Sequence, residues 1–130
     1  MVIDTSALIA VLLGEAAAER LIEAIEAAGS RKVSAATVVE ASLVLLGRYG
    51  EAGDAQLDRL LQTISADIVP VDDVHVRAAR DAAQRFGRGR HPAALNFGDC
   101  FSYALAACSG EPLLFVGDDF SRTDIECAVW

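Results

Sequence analysis

The chain has a single lysine, a single tryptophan, two histidines and three cysteines in 130 residues, and each scarcity removes a class of function. His75 and His91 are too few, and Cys100, Cys108 and Cys127 form no CxxC pair, so a zinc site of the usual ligand spacing is excluded. An odd number of cysteines reads instead as reduced, partly buried thiols in a cytosolic setting. Long apolar runs are also missing. The longest, Ala7–Leu13, has seven residues against the ~20 of a membrane-spanning helix. No basic segment precedes it, which argues against a signal peptide, and a soluble cytoplasmic domain that stays where it is made is expected. There is no internal repeat or low-complexity tract.

What is present describes one folded unit. Apolar residues are 53% and charged residues 23% of a 13.7 kDa chain, which supplies a core for a single domain over residues 1–130. The net charge of −8 argues against a free-standing nucleic-acid binder. The cations are uneven, however: Arg77, Arg80, Arg85, Arg88 and Arg90 fall close together. A helix surface accounts for the first two and extends to Arg85. Arg88-Gly89-Arg90-His91 belongs to a loop, where phosphate contact and plain solvation are both open readings.

The apolar run Met1–Ile3 stops at Asp4 as a buried strand would, and Thr5-Ser6 offers a cap for a helix over Ala7–Leu13. Glu15–Ala28 reads as an amphipathic helix stopped by Gly29, and Lys32–Val33 as a minimal strand. Helices follow over Thr37 to about Arg48 and over Asp54–Ser65, then a strand over Asp67–Val71. Asp73 caps a helix ending at Phe86. A loop over Gly87–Gly98 leads to a helix over Asp99–Ser109 and a strand over Leu113–Val116, and Thr123–Trp130 has room for a small edge strand. Short apolar strands separated by helices predict a three-layer α/β/α domain with a short, mainly parallel sheet.

In such a sheet ligands bind beyond the carboxyl ends of the strands, and acids stand there. Asp4 closes the first strand, and Asp118 and Asp119 follow the last. Each acid has an ordinary alternative. Asp4 and Asp99 read equally as helix N-caps, Glu40 as the partner of Thr37 in a capping box, and Asp118-Asp119 as a turn. Taken together they suggest a site for a hard metal ion, because clustered carboxylates repel unless a cation lies between them. Mg²⁺ fits oxygen-only ligands, and Mn²⁺ shares them.

Four segments carry a resemblance. Met1-Val2-Ile3-Asp4-Thr5-Ser6-Ala7-Leu8, Glu40 within Ser34–Ala41, Leu95-Asn96-Phe97-Gly98-Asp99-Cys100, and Leu113–Phe120 followed by Thr123-Asp124-Ile125 resemble a PIN-domain ribonuclease. More narrowly, the chain resembles a VapC-type toxin of bacterial toxin–antitoxin pairs, and the likeness covers its whole length. The resemblance implies a PIN fold and a Mg²⁺- or Mn²⁺-dependent endoribonuclease, homodimeric and inhibited by a cognate VapB-like antitoxin. Asp4, Glu40 and Asp99 fall on the family's core acids, Thr5 or Ser6 on a supporting hydroxyl, and Asn96 on a polar position beside the third acid. The fourth acid departs from the pattern. Phe115 or Val116 takes the place of a threonine, and Gly117-Asp118-Asp119 follows. Asp118 is favoured as a ligand, with Asp119 as its alternative.

On this reading Asp4, Asp99 and Asp118 hold the metal, Glu40 positions or deprotonates the attacking water, and Arg88 and Arg90 steer the RNA backbone. Helices 37–48 and 54–65 carry Leu43, Leu46, Leu57, Leu60 and Leu61, either as core or as a seam for a partner. Two rivals fail on the residues. A phosphoacceptor receiver needs a lysine after a late strand, and Lys32 is early. A haloacid-dehalogenase-like phosphatase needs Asp-x-Asp where Asp4-Thr5-Ser6 stands. A catalytically silent PIN scaffold that only binds remains the alternative.

Overall fold

A computed structural model describes all residues from Met1 to Trp130. Its elements are β1 (Val2–Ile3), α1 (Thr5–Leu12), α2 (Ala18–Ala27), β2 (Lys32–Ser34), α3 (Ala35–Thr63), β3 (Asp67–Val69), α4 (Asp73–Phe86), α5 (Phe97–Ser109) and β4 (Leu113–Leu114), followed by a 3₁₀ turn at Phe120–Arg122. The four strands form one parallel sheet in the order β3-β2-β1-β4.

The period of two along a strand sorts the core into layers. Val2 and Leu113 point to one face and pack with α4 and α5 around Tyr103, Leu105 and Phe86. Their neighbours Ile3 and Leu114 point to the other face and join Val33, Leu8, Leu21, Ile25, Leu45 and Leu57 of α1, α2 and α3. Both faces are therefore dry, as expected for a parallel sheet covered by crossover helices. The chain steps from β1 outward to β3 and returns to the free side of β1 as β4. The order thus reverses between β1 and β4, and the crevice beyond their carboxyl ends is where ligands bind in open α/β sheets.

Several boundaries differ from the sequence reading, each for a local reason. Helix α1 begins at Thr5, because Asp4, not Thr5 or Ser6, is its cap. Helix α2 begins at Ala18 instead of Glu15, since Glu15–Ala17 are used in the turn after α1. The two helices expected over 37–48 and 54–65 are the two limbs of α3, parted as expected near Gly50, whose φ of 61° and ψ of −156° leave the helical region. The bounds differ in that the first limb begins at Ala35. Ser42 Oγ donates across the kink to Asp54 Oδ1. β3 stops at Val69, before Pro70, which has no N–H to give a ladder. Asp72, not Asp73, caps α4. The tail makes an isolated bridge between Leu113 and Cys127 in place of an edge strand.

Candidate active site

Asp4 is fixed first. Its backbone N–H donates to the Leu114 carbonyl at 2.9 Å, holding the end of β1 against β4. As cap of α1 its side chain uses only one oxygen: Oδ2 accepts from the Ser6 N–H at 2.9 Å and the Ser6 hydroxyl at 2.6 Å. The other oxygen, Oδ1, is buried with no partner in a residue only 2% exposed. A carboxylate oxygen so placed costs several times a normal hydrogen bond unless something positive meets it. The Ser6 hydroxyl also accepts from the Val116 N–H at 3.0 Å and so links the exits of β1 and β4.

Glu40 is supplied by α3. Ser34, one turn earlier than expected, caps that helix. The capping-box alternative for Glu40 is not formed: Thr37 is wholly buried and pairs with Ser102 at 3.1 Å. Glu40 instead accepts from the Thr5 hydroxyl at 2.5 Å. It lies directly on Gly98, so that a methyl group there would fall on its carboxylate.

Asp99 comes from α5, which starts at Phe97 because Asn96 is its cap. The pair forms a reciprocal capping box: the Asp99 N–H donates to Asn96 Oδ1 at 3.0 Å, and the Asn96 N–H donates to Asp99 Oδ2 at 2.7 Å. Asp99 is half-buried, and burial pushes its pKa up to about 6, against the pull of the Asn96 N–H. The charges of Asp4, Asp119 and Glu40 push the same way, so these four carboxylates share one field.

Asp4, Thr5, Ser6, Glu40, Asn96, Asp99 and Asp119 line one cleft of about 360 Å³. Asp118 does not line it. Asp118 and Asp119 are both exposed, but the Asp118 carbonyl accepts from the Ser121 hydroxyl at 2.7 Å, whereas Asp119 lines the cleft with the other acids. Arg88 and Arg90 are exposed in the loop after α4 and also lie outside the acid cleft. Arg88 borders a neighbouring apolar cleft of about 500 Å³ lined by Val76, Leu95, Phe97 and Phe101, and the two clefts meet at Asn96. Two lining residues, Glu15 and Arg48, were missed from the sequence. Arg48 had a signal: Glu40, Val44 and Arg48 are spaced by four on one helix face. Glu15, in a turn, had none.

The acids face one another across the cleft without closing up: no three His, Cys, Asp or Glu side chains converge into a closed ligand cluster. The donor set still fits a hard divalent cation. It is all oxygen, Asp4 Oδ1 lacks a partner, and Mg²⁺ is usually held by one or two carboxylates with several waters retained.

Comparisons with known proteins place the chain in a family. The family model described as "PIN domain" matches residues 1–126. The chain is 51% identical over 125 residues to "Ribonuclease VapC30" of Mycobacterium tuberculosis, covering 96% of this chain and 95% of that one. It is 50% identical to "Ribonuclease VapC" of Mycolicibacterium smegmatis, with 96% and 97% covered. Among solved structures, VapC20 of Mycobacterium tuberculosis, described as a sarcin-ricin loop cleaving toxin, superposes with a TM-score of 0.78 at 19% identity over 95% of both chains. A toxin–antitoxin complex from Klebsiella pneumoniae gives 0.71 at 18% identity, over 95% of this chain and 92% of that one.

Proposed function

The chain belongs to the VapC ribonucleases of the PIN-domain family, and from that premise we propose that it is a divalent-metal-dependent endoribonuclease that hydrolyses phosphodiester bonds in RNA. The observation that carries the reading is the unpartnered, buried Asp4 Oδ1 in an acid cleft at the sheet's switch point. Asp4, Asp99 and Asp119 are the candidate ligands for Mg²⁺ or Mn²⁺, with Asp119 preferred to Asp118 because it lines the cleft. When bound, the ion supplies the positive charge that acidifies a water and offsets charge growing on the phosphoryl oxygens.

The protein's own groups do the rest. Ser6 holds Asp4 through Oδ2 and leaves Oδ1 without a partner, and Asn96 orients Asp99 through the capping box. Glu40, held by Thr5 and seated on Gly98, orients the attacking water and accepts its proton. Arg88, beside Asn96 at the junction of the clefts, and Arg90 steer the RNA backbone toward the acids.

A cognate antitoxin is the proposed inhibitor. Its helix would occupy the groove of about 240 Å³ between α1, α2 and the end of α3, lined by Val11, Ile22, Ile25, Leu60 and Ile64. Leu57 and Leu61 are core, but Val39, Leu43 and Leu46 are exposed along one face of α3, which suits a second copy of the chain. No helix is long and apolar enough to cross a membrane.

The deciding experiment incubates the purified chain, free of partners, with total RNA in Mg²⁺, Mn²⁺ and EDTA beside Asp99→Asn. Discrete cleavage that requires metal and is lost in the variant is expected. No cleavage in any lane would return the protein to the silent-scaffold reading.

A further inference from the structure

The acid cleft is lined by Asp4, Glu15, Glu40, Asp99 and Asp119 and by one cation, Arg48. Several other cations are engaged elsewhere, and those that are not, such as Arg88 and Arg90, lie outside this cleft. Arg85 pairs with Asp81 and Asp124, Lys32 with Glu111, Arg31 with carbonyls at the end of α2, and Arg20 lies over the Trp130 ring. None of the chain's ion pairs engages Arg48, so its guanidinium is not used to neutralise the acids beside it. It stands eight residues after Glu40 on the same helix, and helical side chains lean back toward the N-terminus, which carries Arg48 toward the acids. The helix leaves its course at Gly50, just beyond, so Arg48 marks the rim where the first limb of α3 ends.

A phosphodiester entering this cleft meets carboxylates on nearly every side. A guanidinium with free donors presents a planar pair of N–H groups that matches two phosphate oxygens. We propose that Arg48 is a phosphate-binding catalytic residue that receives the scissile phosphodiester or its immediate neighbour and stabilises the charge developing on its oxygens. The proposal rests on the ribonuclease reading of the cleft and adds to it the group that admits a polyanion to an acidic site.

The test uses the full chain and a labelled single-stranded RNA. Binding is followed by fluorescence anisotropy in Mg²⁺ at several KCl concentrations, with Asp99→Asn preventing cleavage, with and without Arg48→Ala. Cleavage is measured separately for the parent, Arg48→Ala and Arg48→Lys. Loss of one phosphate contact should flatten the plot of log Kd against log salt by about 0.7. Arg48→Ala should lower kcat/KM by about a hundredfold. Arg48→Lys should restore the salt slope but only part of the rate, because a lysine is a point charge without the fork. The thermal melt should be unchanged, since Arg48 is exposed. An unchanged salt slope, or a rate loss that tracks a lowered melting temperature, would overturn the assignment. If the parent cleaves no RNA while the slope still depends on Arg48, the ribonuclease reading falls and the phosphate contact stands. If the parent cleaves and the slope is indifferent to Arg48, only this inference falls.

Discussion

Thr5 and Glu40 meet across the mouth of the sheet, the Thr5 hydroxyl donating to Glu40 Oε2 at 2.5 Å. The bond joins the first residue of α1 to α3, so the residue beside the metal-ligand candidate Asp4 also sets the direction of the proposed base. Thr5→Val keeps the shape of the side chain and removes the donor. Glu40 is only partly buried and rehydrates, so the stability cost should stay near 1 kcal/mol. RNA cleavage should fall about tenfold, the rate equivalent of ~1.4 kcal/mol. Thr5→Ser should keep most of the rate. Equal rates for the valine and serine variants would show that the hydroxyl does not position Glu40.

Gly98 lets Glu40 come down onto the start of α5. A methyl group there would overlap the Glu40 carboxylate, which is the far end of a flexible side chain and can swing away. Ala is also favoured over Gly in a helix by roughly 1 kcal/mol. Gly98→Ala should therefore melt at or above the parent temperature while losing most of its cleavage activity. A variant as active as the parent would mean that Glu40 works from another position.

Asp4 carries an unpaired oxygen in a buried place beside other carboxylates. Asp4→Asn removes that charge and keeps an oxygen for the cap, so in EDTA it should be at least as stable as the parent. Mn²⁺ should raise the parent's melting temperature, by the equivalent of about 2.7 kcal/mol when the free ion is at ~100 times its Kd. The variant should show little or no rise. Calorimetry in EDTA and in Mn²⁺ checks both halves. A parent indifferent to Mn²⁺ would count against the ligand role.

The sequence made the parallel sheet legible because its strands are short, wholly apolar and punctuated by helices. Asp4 and Asp99 were legible for the same reason, since both sit where a strand or helix changes state. Capping leaves room for the proposed site roles: Asp4 caps with one oxygen and has no partner on the other, and Asp99 sits in a capping box while lining the cleft. Neighbouring Asp118 and Asp119 could not be separated, because the direction of each in a turn after β4 depends on the three-dimensional path through Gly117, whose φ is 113°. Arg48 carried a weaker signal, its i, i+8 spacing from Glu40 on one helix face, and the break at Gly50 fell where the sequence placed a helix end.

Tyr103 gives a prediction away from the cleft. Burial pushes its pKa up to about 12, with the hydrogen bond it donates to Asp124 acting the same way. A folded-state pKa above the unfolded value of about 10 means that this contribution to stability is complete below pH ~10. It is lost as the pH rises through about 12. Tyr103→Phe should cost about 1 kcal/mol at neutral pH through the missing hydrogen bond. Its melting temperature should then fall less steeply than the parent's in strong alkali. Parallel declines would assign the alkaline transition to other groups.

Asp118 and Asp119 are adjacent, yet only Asp119 lines the acid cleft and raises the pKa of Asp99. Asp119→Asn should lower the cleavage rate at least about tenfold, corresponding to ~1.4 kcal/mol of lost stabilisation. It should also reduce the rise in melting temperature on adding Mn²⁺. Asp118→Asn should stay within about twofold of the parent rate, because its side chain lies outside the cleft, and surface changes away from a site usually shift energies by no more than ~0.5 kcal/mol. Kinetics on one RNA substrate, with both variants at saturating Mn²⁺ and again at limiting Mn²⁺, separates a metal ligand from a residue that only braces the turn. A ligand's defect shrinks as the ion is raised, while a brace's defect does not. The reverse ranking of the two variants would return the fourth acid to Asp118 and require the turn after β4 to rotate when metal and RNA bind.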